Sequence, residues 1–450
     1  MALCLFLNAC TKPGITSPDT AKELIDLVLK NVDGSSFADS SVSVSFTGNN
    51  LDITLPYYAN LNELIPIIKI KGASVSPASG STVSFKNPVT FTITAEDSST
   101  AAYTVTVHLS TPPIVYAGGS DNLFDALNAY NGQVIWQYGS SASFVYSRPC
   151  YANGAVYVGG SDNNLYAFDA LTGHPKWKKT ISTSGIEGGV AYADGLVYVG
   201  TDDDVFYAFD ATNGDLKWSF QTGGNISSTP VVANGIVFVG SDDENLYALN
   251  ATTGNLIWRN NTTGMSGRSG PVLADGALYV GSRNGYLRAV DANTGQQKWQ
   301  FYANGISLEH SCPAVADNMV YVGGSTNIPN FNEKGSLYAV NAQTGELVWE
   351  KLKSSDVYSN PCVANGIVYA AAADLTLHAL DAKTGATVWE RRLISNSASP
   401  AVYNGTVYIG DGGNGYFYAL DAADGHEKWK FHRPFALDMS APLIVPPPAK

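Results

Sequence analysis

The chain is short of cysteine, histidine, clustered basic charge and long apolar runs, and each shortage removes a class of protein. Past the first ten residues, no stretch of the 450-residue sequence is apolar for long enough to span a bilayer. Lys plus Arg number only 26 and are scattered, against 39 Asp plus Glu, for a formal net charge of -13. That balance disfavours a nucleic-acid surface and favours solubility. The six histidines, His108, His174, His310, His378, His426 and His432, show no pairwise metal-ligand spacing, so no metal is expected. There is no CxxCH motif, which removes covalent haem. Residues 22–110 contain no tryptophan at all, whereas the remainder carries all eight.

What is present is a repeat. Residues 228–258, STPVVANGIVFVGSDDENLYALNATTGNLIW, contain short apolar runs broken by Asn234-Gly235, by 241–245 and by Thr253-Gly254. Gly and Asn tolerate positive φ, so each break is a turn, and the unit predicts a four-stranded antiparallel meander. Copies end on Trp136, Trp177, Trp218, Trp258, Trp299, Trp349, Trp389 and Trp429, about 40 residues apart except for one spacing of 50. A glycine stands four residues before each tryptophan, and an Asp or Asn four residues before that glycine, suited to bonding the turn backbone. A four-stranded repeat of this length predicts a β-propeller. The first copy begins at its second strand, Ile114, and the missing opening reappears at 440–444, so the chain end is expected to complete blade 1 and close a ring of eight.

The pattern YVGSxDxxLYALDAxTGxxxW resembles the quinoprotein-type tryptophan-docking repeat, shared by pyrroloquinoline-quinone dehydrogenases and by non-enzymatic propellers of the barrel-assembly lipoprotein B family. The resemblance implies that the tryptophans wedge between neighbouring blades. It leaves activity open, because one fold hosts many functions. A quinone enzyme of this kind would need calcium ligands, an aspartate base and often a disulfide of adjacent cysteines. The cysteines here are Cys4, Cys10, Cys150, Cys312 and Cys362, none adjacent, and the last three are expected to be buried free thiols. Acidic runs at 202–204 and 242–244 fall in the second turn of their blades and lack DxDxDG spacing, so they are read as turns, and no cofactor is expected.

Ahead of the propeller the sequence divides in two. Residues 1–10, MALCLFLNAC, end in Leu7-Asn8-Ala9-Cys10, which resembles a lipobox, so Cys10 is expected to carry a lipid and 1–21 to be a signal remnant and tether. From 22 to 110, strands are predicted at 42–46, 51–55, 67–70, 82–85, 89–95 and 102–107, with 23–30 open between strand and helix. The set predicts an immunoglobulin-like β-sandwich. Residues 74–107 resemble the small sandwich domain of Bacteroidetes-type surface lipoproteins, which implies a spacer or stalk. The expected chain is therefore all-β, a small Ig-like sandwich (22–110) followed by an eight-bladed propeller (114–445).

One ring of positions escapes the monotony of the repeat. Three residues before the inner-strand proline or its equivalent stand Tyr146, Glu187, Ser227, Arg268, His310, Tyr358, Ser397 and Met439, a position that varies from blade to blade. They would line the mouth of the axial funnel, where loops on a rigid scaffold bind ligands. The single spacing of 50 comes from a lengthened second turn at 323–336, which adds Asn327 and the apolar Phe331 over the same face. Arg268, His310 and Tyr358 are expected side by side beneath it. The favoured function is a non-catalytic, monomeric lipoprotein of the outer membrane or cell surface, binding an envelope protein, peptide or glycan. The alternative is a quinone-dependent oxidoreductase.

Overall fold

A computed structural model describes residues 20–37, 42–57, 59–141, 143–144, 148–261, 264, 269–326, 335–353, 355–393, 398–411, 415–433 and 441–447. Among these, all regular structure is β-strand, and the chain divides into two compact units, Met1–Pro112 with Pro446–Lys450, and Pro113–Val445.

In the first unit β1 (Glu23–Asn31) pairs antiparallel with β4 (Leu64–Lys71). A second sheet has the order β2-β3-β7-β6-β5, formed by Ser43–Thr47, Asn50–Leu55, Thr100–Leu109, Val89–Thr94 and Ser74–Ser76 respectively. Within it β3 and β7 run parallel. Alternation decides the ambiguous segment: Leu27 and Leu29 turn inward from β1 to meet Leu51, Ile53, Phe91, Ile93 and Val105 in one sandwich core. The strand expected at 82–85 is reduced to a single bridge between Val83 and Leu64, although Phe85 is buried. Its apolar residues anchor a loop rather than a ladder. The short β5 took no part in the predicted pattern, since its three residues present only Val75 to the core.

The second unit is eight four-stranded sheets, seven of them in sequence order from the axis outwards. Blades 2 to 8 open on the innermost strands Cys150–Ala152, Val190–Ala193, Val231–Ala233, Val272–Ala274, Ala314–Ala316, Cys362–Ala364 and Ala401–Tyr403. Blade 1 takes its innermost strand from Leu443–Val445, which pairs antiparallel with Ile114–Gly118, Leu443 opposite Tyr116. The first turn of a blade needs positive φ at both central residues, and Asn153-Gly154, Asp194-Gly195 and Asn234-Gly235 supply it. Blade 6 achieves the same turn without glycine, through Asp317 and Asn318 at φ 49° and 61°.

Blades are joined by a repeated three-part contact. Trp136 Nε1 donates to Ala170 O of the next blade at 2.8 Å, and the series runs through Trp177, Trp218, Trp258, Trp299, Trp349 and Trp389 to Trp429, which donates to Ala129 O of blade 1 at 2.9 Å. A tyrosine on the second strand joins the tryptophan on the same carbonyl: Tyr116 on Ala170 O, Tyr157 on Ala211 O, Tyr198 on Ala251 O. The glycine of the following turn lies flat against the tryptophan, so that a Cβ on Gly254 would stand 2.6 Å from the Trp218 ring. Ring burial and a satisfied carbonyl thus share one locus at each interface.

Candidate functional site at the propeller mouth

The loops that enter each innermost strand lie on the same face as the second turns, as the hydrogen bonds between them show. Thr183 N donates to Asp203 and Ser227 Oγ to Asp202 Oδ1, both at 3.0 Å. The approach to the strand is fixed by a buried serine. Ser311 Oγ accepts from Gly323 N and donates to Ser359 O, each at 3.0 Å, while Ser359 Oγ accepts from Ala371 N and donates to Ala371 O, also at 3.0 Å. With the serine tied to the second strand, the residue before it is held rigidly at the mouth yet carries no part of the fold.

Of the residues expected there, Tyr146, Arg268, Asn327 and Phe331 lie outside the described residues, as do Ser397 and Met439. Glu187 is exposed at the opening of blade 3. His310 and Tyr358, from adjacent blades, do meet: their ring centroids are 5.9 Å apart, edge to face at 61°.

Two carboxylates that the sequence reading missed hold this pair. Glu309, with a side chain only 5% exposed, accepts Arg283 Nε at 2.8 Å through Oε2 and lies 3.4 Å from His310 Nε2 through Oε1. Asp356 Oδ2 accepts the Tyr358 hydroxyl at 2.9 Å, and its Oδ1 accepts Thr326 N at 3.0 Å and Gly335 N at 2.7 Å. Thr326 and Gly335 bracket the lengthened turn of blade 6, so one carboxylate of blade 7 roots both its ends and the tyrosine. A spacing signal for Glu309 exists. Ile186, Ile226 and Val357 pack on Gly159, Gly200 and Gly323 and stand two residues before Gly188, Ser228 and Ser359; in blade 6 the equivalent Leu308 packs on Gly281 but stands three residues before Ser311, a sequence spacing that blade 2 shares through Phe144, which packs on Gly118, and Ser147. The extra residue is Glu309.

Burial, then the Asp356 carboxylate, pushes the Tyr358 phenol up to about 12, so it stays a neutral donor at physiological pH. Hydrogen bonding and charge from Glu309 raise Arg283 above its ordinary value, so its guanidinium stays cationic. The group therefore offers fixed donors, fixed acceptors and an aromatic edge. The acidic turns serve as backbone acceptors: Asp243 takes Gly223 N at 2.8 Å, Asn245 N at 3.0 Å and the Tyr247 hydroxyl at 2.5 Å. Cys150, Cys312 and Cys362 are free thiols, and only Cys312 is fully buried, a correction to the expectation for the other two, which are half-buried. Burial nevertheless pushes the Cys150 thiol up to about 11.

The family model described as outer membrane protein assembly factor BamB matches residues 73–186, 176–305 and 283–433, and that of the SGBP N-terminal domain matches residues 35–107. Among solved structures, BamB from Moraxella catarrhalis is 20% identical, with 70% of this chain and 89% of that one covered at a TM-score of 0.55. A europium-containing methanol dehydrogenase is 16% identical over 68% of this chain and 82% of its own, with a TM-score of 0.57. The computationally designed Ika8 protein is 17% identical over 67% and 91%, with a TM-score of 0.56. At these identities the likeness is one of fold. No curated protein matches the sequence.

Proposed function

The chain belongs to the family of the outer membrane protein assembly factor BamB, and from that premise we propose that it is a non-catalytic binding module of the cell envelope. In this reading Cys10 carries a lipid anchor, and the propeller mouth over blade 6 holds a protein, peptide or glycan partner. The observation that carries the proposal is the pairing of His310 and Tyr358 on buried or backbone-anchored carboxylates, at positions the blade repeat does not need. Rigid polar pairs beside an aromatic edge suit the hydroxyls and apolar face of a sugar ring, which makes a glycan the best-fitting partner. The match of residues 35–107 to a surface glycan-binding protein domain supports the same choice.

The test is a panel of envelope glycans presented to the wild-type protein and to His310→Ala/Tyr358→Ala. The double variant should lose the glycans that the wild type retains while melting at nearly the same temperature, since neither residue belongs to the blade signature. Retention of the same glycans would move the site elsewhere. Calorimetry with pyrroloquinoline quinone and calcium probes the competing reading: tight binding accompanied by dye-linked alcohol oxidation would replace the binding module by a dehydrogenase. Membrane association of Cys10→Ala equal to that of the wild type would remove the anchor.

A further inference from the structure

Below the mouth, the residues that immediately precede the inner-strand prolines or their equivalents form a belt around the propeller axis: Arg148, Gly189, Thr229, Gly270, Cys312, Asn360, Ser399 and Ala441. Much of it is tied together. Gly270 N donates to Cys312 Sγ at 3.1 Å, Cys312 N to Asn360 Oδ1 at 2.6 Å, and Asn360 Nδ2 to Ser399 Oγ at 2.8 Å. The remaining members are small, and Gly189 is held to no side chain, because a Cβ there would come within 2.1 Å of Thr229 Oγ1.

Arg148 breaks the pattern. Its Nη1 donates to Cys312 Sγ at 3.0 Å. Arg148 enters blade 2 and Cys312 enters blade 6, four blades apart in a ring of eight, so the guanidinium reaches across the axis. Sulfur is a weak acceptor, and among the described residues it is the only hydrogen-bond partner of this five-donor group and no carboxylate pairs with it. A cation is thus held below the mouth by a rigid belt, with its Nε and Nη2 edge uncommitted among the described residues.

We propose that the propeller axis is a carboxylate-binding site in which the uncommitted edge of Arg148 forks to one carboxylate group of a ligand entering from the mouth. A planar carboxylate matches the guanidinium edge bidentately. The rim above selects the charge. Glu187, Asp202, Asp203 and Asp204 of blade 3 make one side of it acidic, whereas Glu309 of blade 6 is paired with Arg283, so a monoanion crosses the acidic side at less electrostatic cost than a phosphate dianion. The site is separate from the His310 and Tyr358 group and stands or falls without it.

The experiment titrates the full chain at low salt with glucuronate, N-acetylglycine and inorganic phosphate by calorimetry. The first two distinguish a carboxylate borne on a sugar from one at a peptide end. At least one carboxylate should bind saturably, more tightly than phosphate, and Arg148→Gln should weaken it about tenfold or more. In parallel, the wild-type protein is treated with phenylglyoxal and the modification of Arg148 is read by peptide mass; the bound carboxylate should slow it. No saturable carboxylate binding, tighter binding of phosphate, equal affinity in the variant, or modification of Arg148 unaffected by the ligand would each overturn the proposal. The phenylglyoxal arm decides the matter if the variant does not fold.

Discussion

At the scale of single residues, the interfaces carry a redundancy that one blade lacks. Seven second-strand tyrosines share a carbonyl with a tryptophan, the last being Tyr408 on Ala129 O at 2.9 Å, but blade 4 has Phe238 at this position, and Ala292 O accepts Trp258 Nε1 alone at 3.1 Å. Phe238→Tyr should therefore stabilise the protein by about 0.5–1.5 kcal/mol, the net worth of one hydrogen bond, in denaturant melts. An unchanged midpoint would mean that the ring cannot place its hydroxyl there. The Asp and Asn of the third turn are not interchangeable either. Asp169, Asp210, Asp291 and Asp421 pair with Lys176, Lys217, Lys298 and Lys428 just before the tryptophan, whereas Asn128, Asn250 and Asn341 go with Ile135, Ile257 and Val348, and blade 7 alone sets an aspartate, Asp381, against a valine, Val388. The Thr212 N–H and then Lys217 hold the Asp210 carboxyl below 3.8, and the Thr384 hydroxyl and N–H do so for Asp381. A depressed folded value means stability that is complete above the unfolded value and drains away as pH falls through the folded one. The melting temperature should thus decline below about pH 4, and Asp210→Asn should flatten that decline. An acid limb of the same slope in the variant would show that other carboxylates govern it.

At the scale of the element, glycines of similar φ do different work. Gly235 and Gly254 both lie at φ 74°, but a Cβ on Gly235 meets nothing within 4 Å, while one on Gly254 meets Trp218 at 2.6 Å. Gly235→Ala should cost only the left-handed penalty, about 1–2 kcal/mol. Gly254→Ala adds a clash with a buried ring, and should cost at least about 1 kcal/mol more in chemical melts. Equal losses would mean that the tryptophan yields freely. The turn chemistry of both was legible from Asn-Gly and Thr-Gly. That only the second glycine also serves as a platform for the preceding blade's tryptophan was not, because the contact joins residues 36 apart in sequence.

At the scale of the whole molecule, the ring is shut by two devices on blade 1. Leu443–Val445 completes its ladder, and Arg433, only 2% exposed, passes from blade 8 to pair with Asp121 at 2.8 Å and with Asp125. Gln137 Nε2 bonds the other oxygen of Asp125 at 2.9 Å. Removal of residues 441–450 would bare the edge of the fully buried strand Ile114–Gly118, so the truncated chain should melt well below the parent or associate through that edge. A truncated monomer with the parent's melting temperature would show that the ladder is dispensable. Arg433→Met, which strands two buried carboxylates, should cost about 3–5 kcal/mol.

Local patterns in the sequence were sufficient for the all-β class, for eight blades, for the turns and for the tryptophan interfaces, because each is written within about 40 residues and repeated. They also marked the mouth, since the ring position that holds His310 and Tyr358 varies from blade to blade while the rest of the repeat does not. What tertiary structure alone decided is which carboxylates hold those two rings, which turn the Asp356 side chain roots, and that Arg148 of blade 2 meets Cys312 of blade 6. Glu309 and Asp356 lie one and two residues from the rings they hold, but the other contacts are set by the curvature of a closed ring, which brings together residues 21 to 164 positions apart. No periodicity encodes them: a repeat specifies how each blade packs on the next, and only closure determines what faces what across the axis.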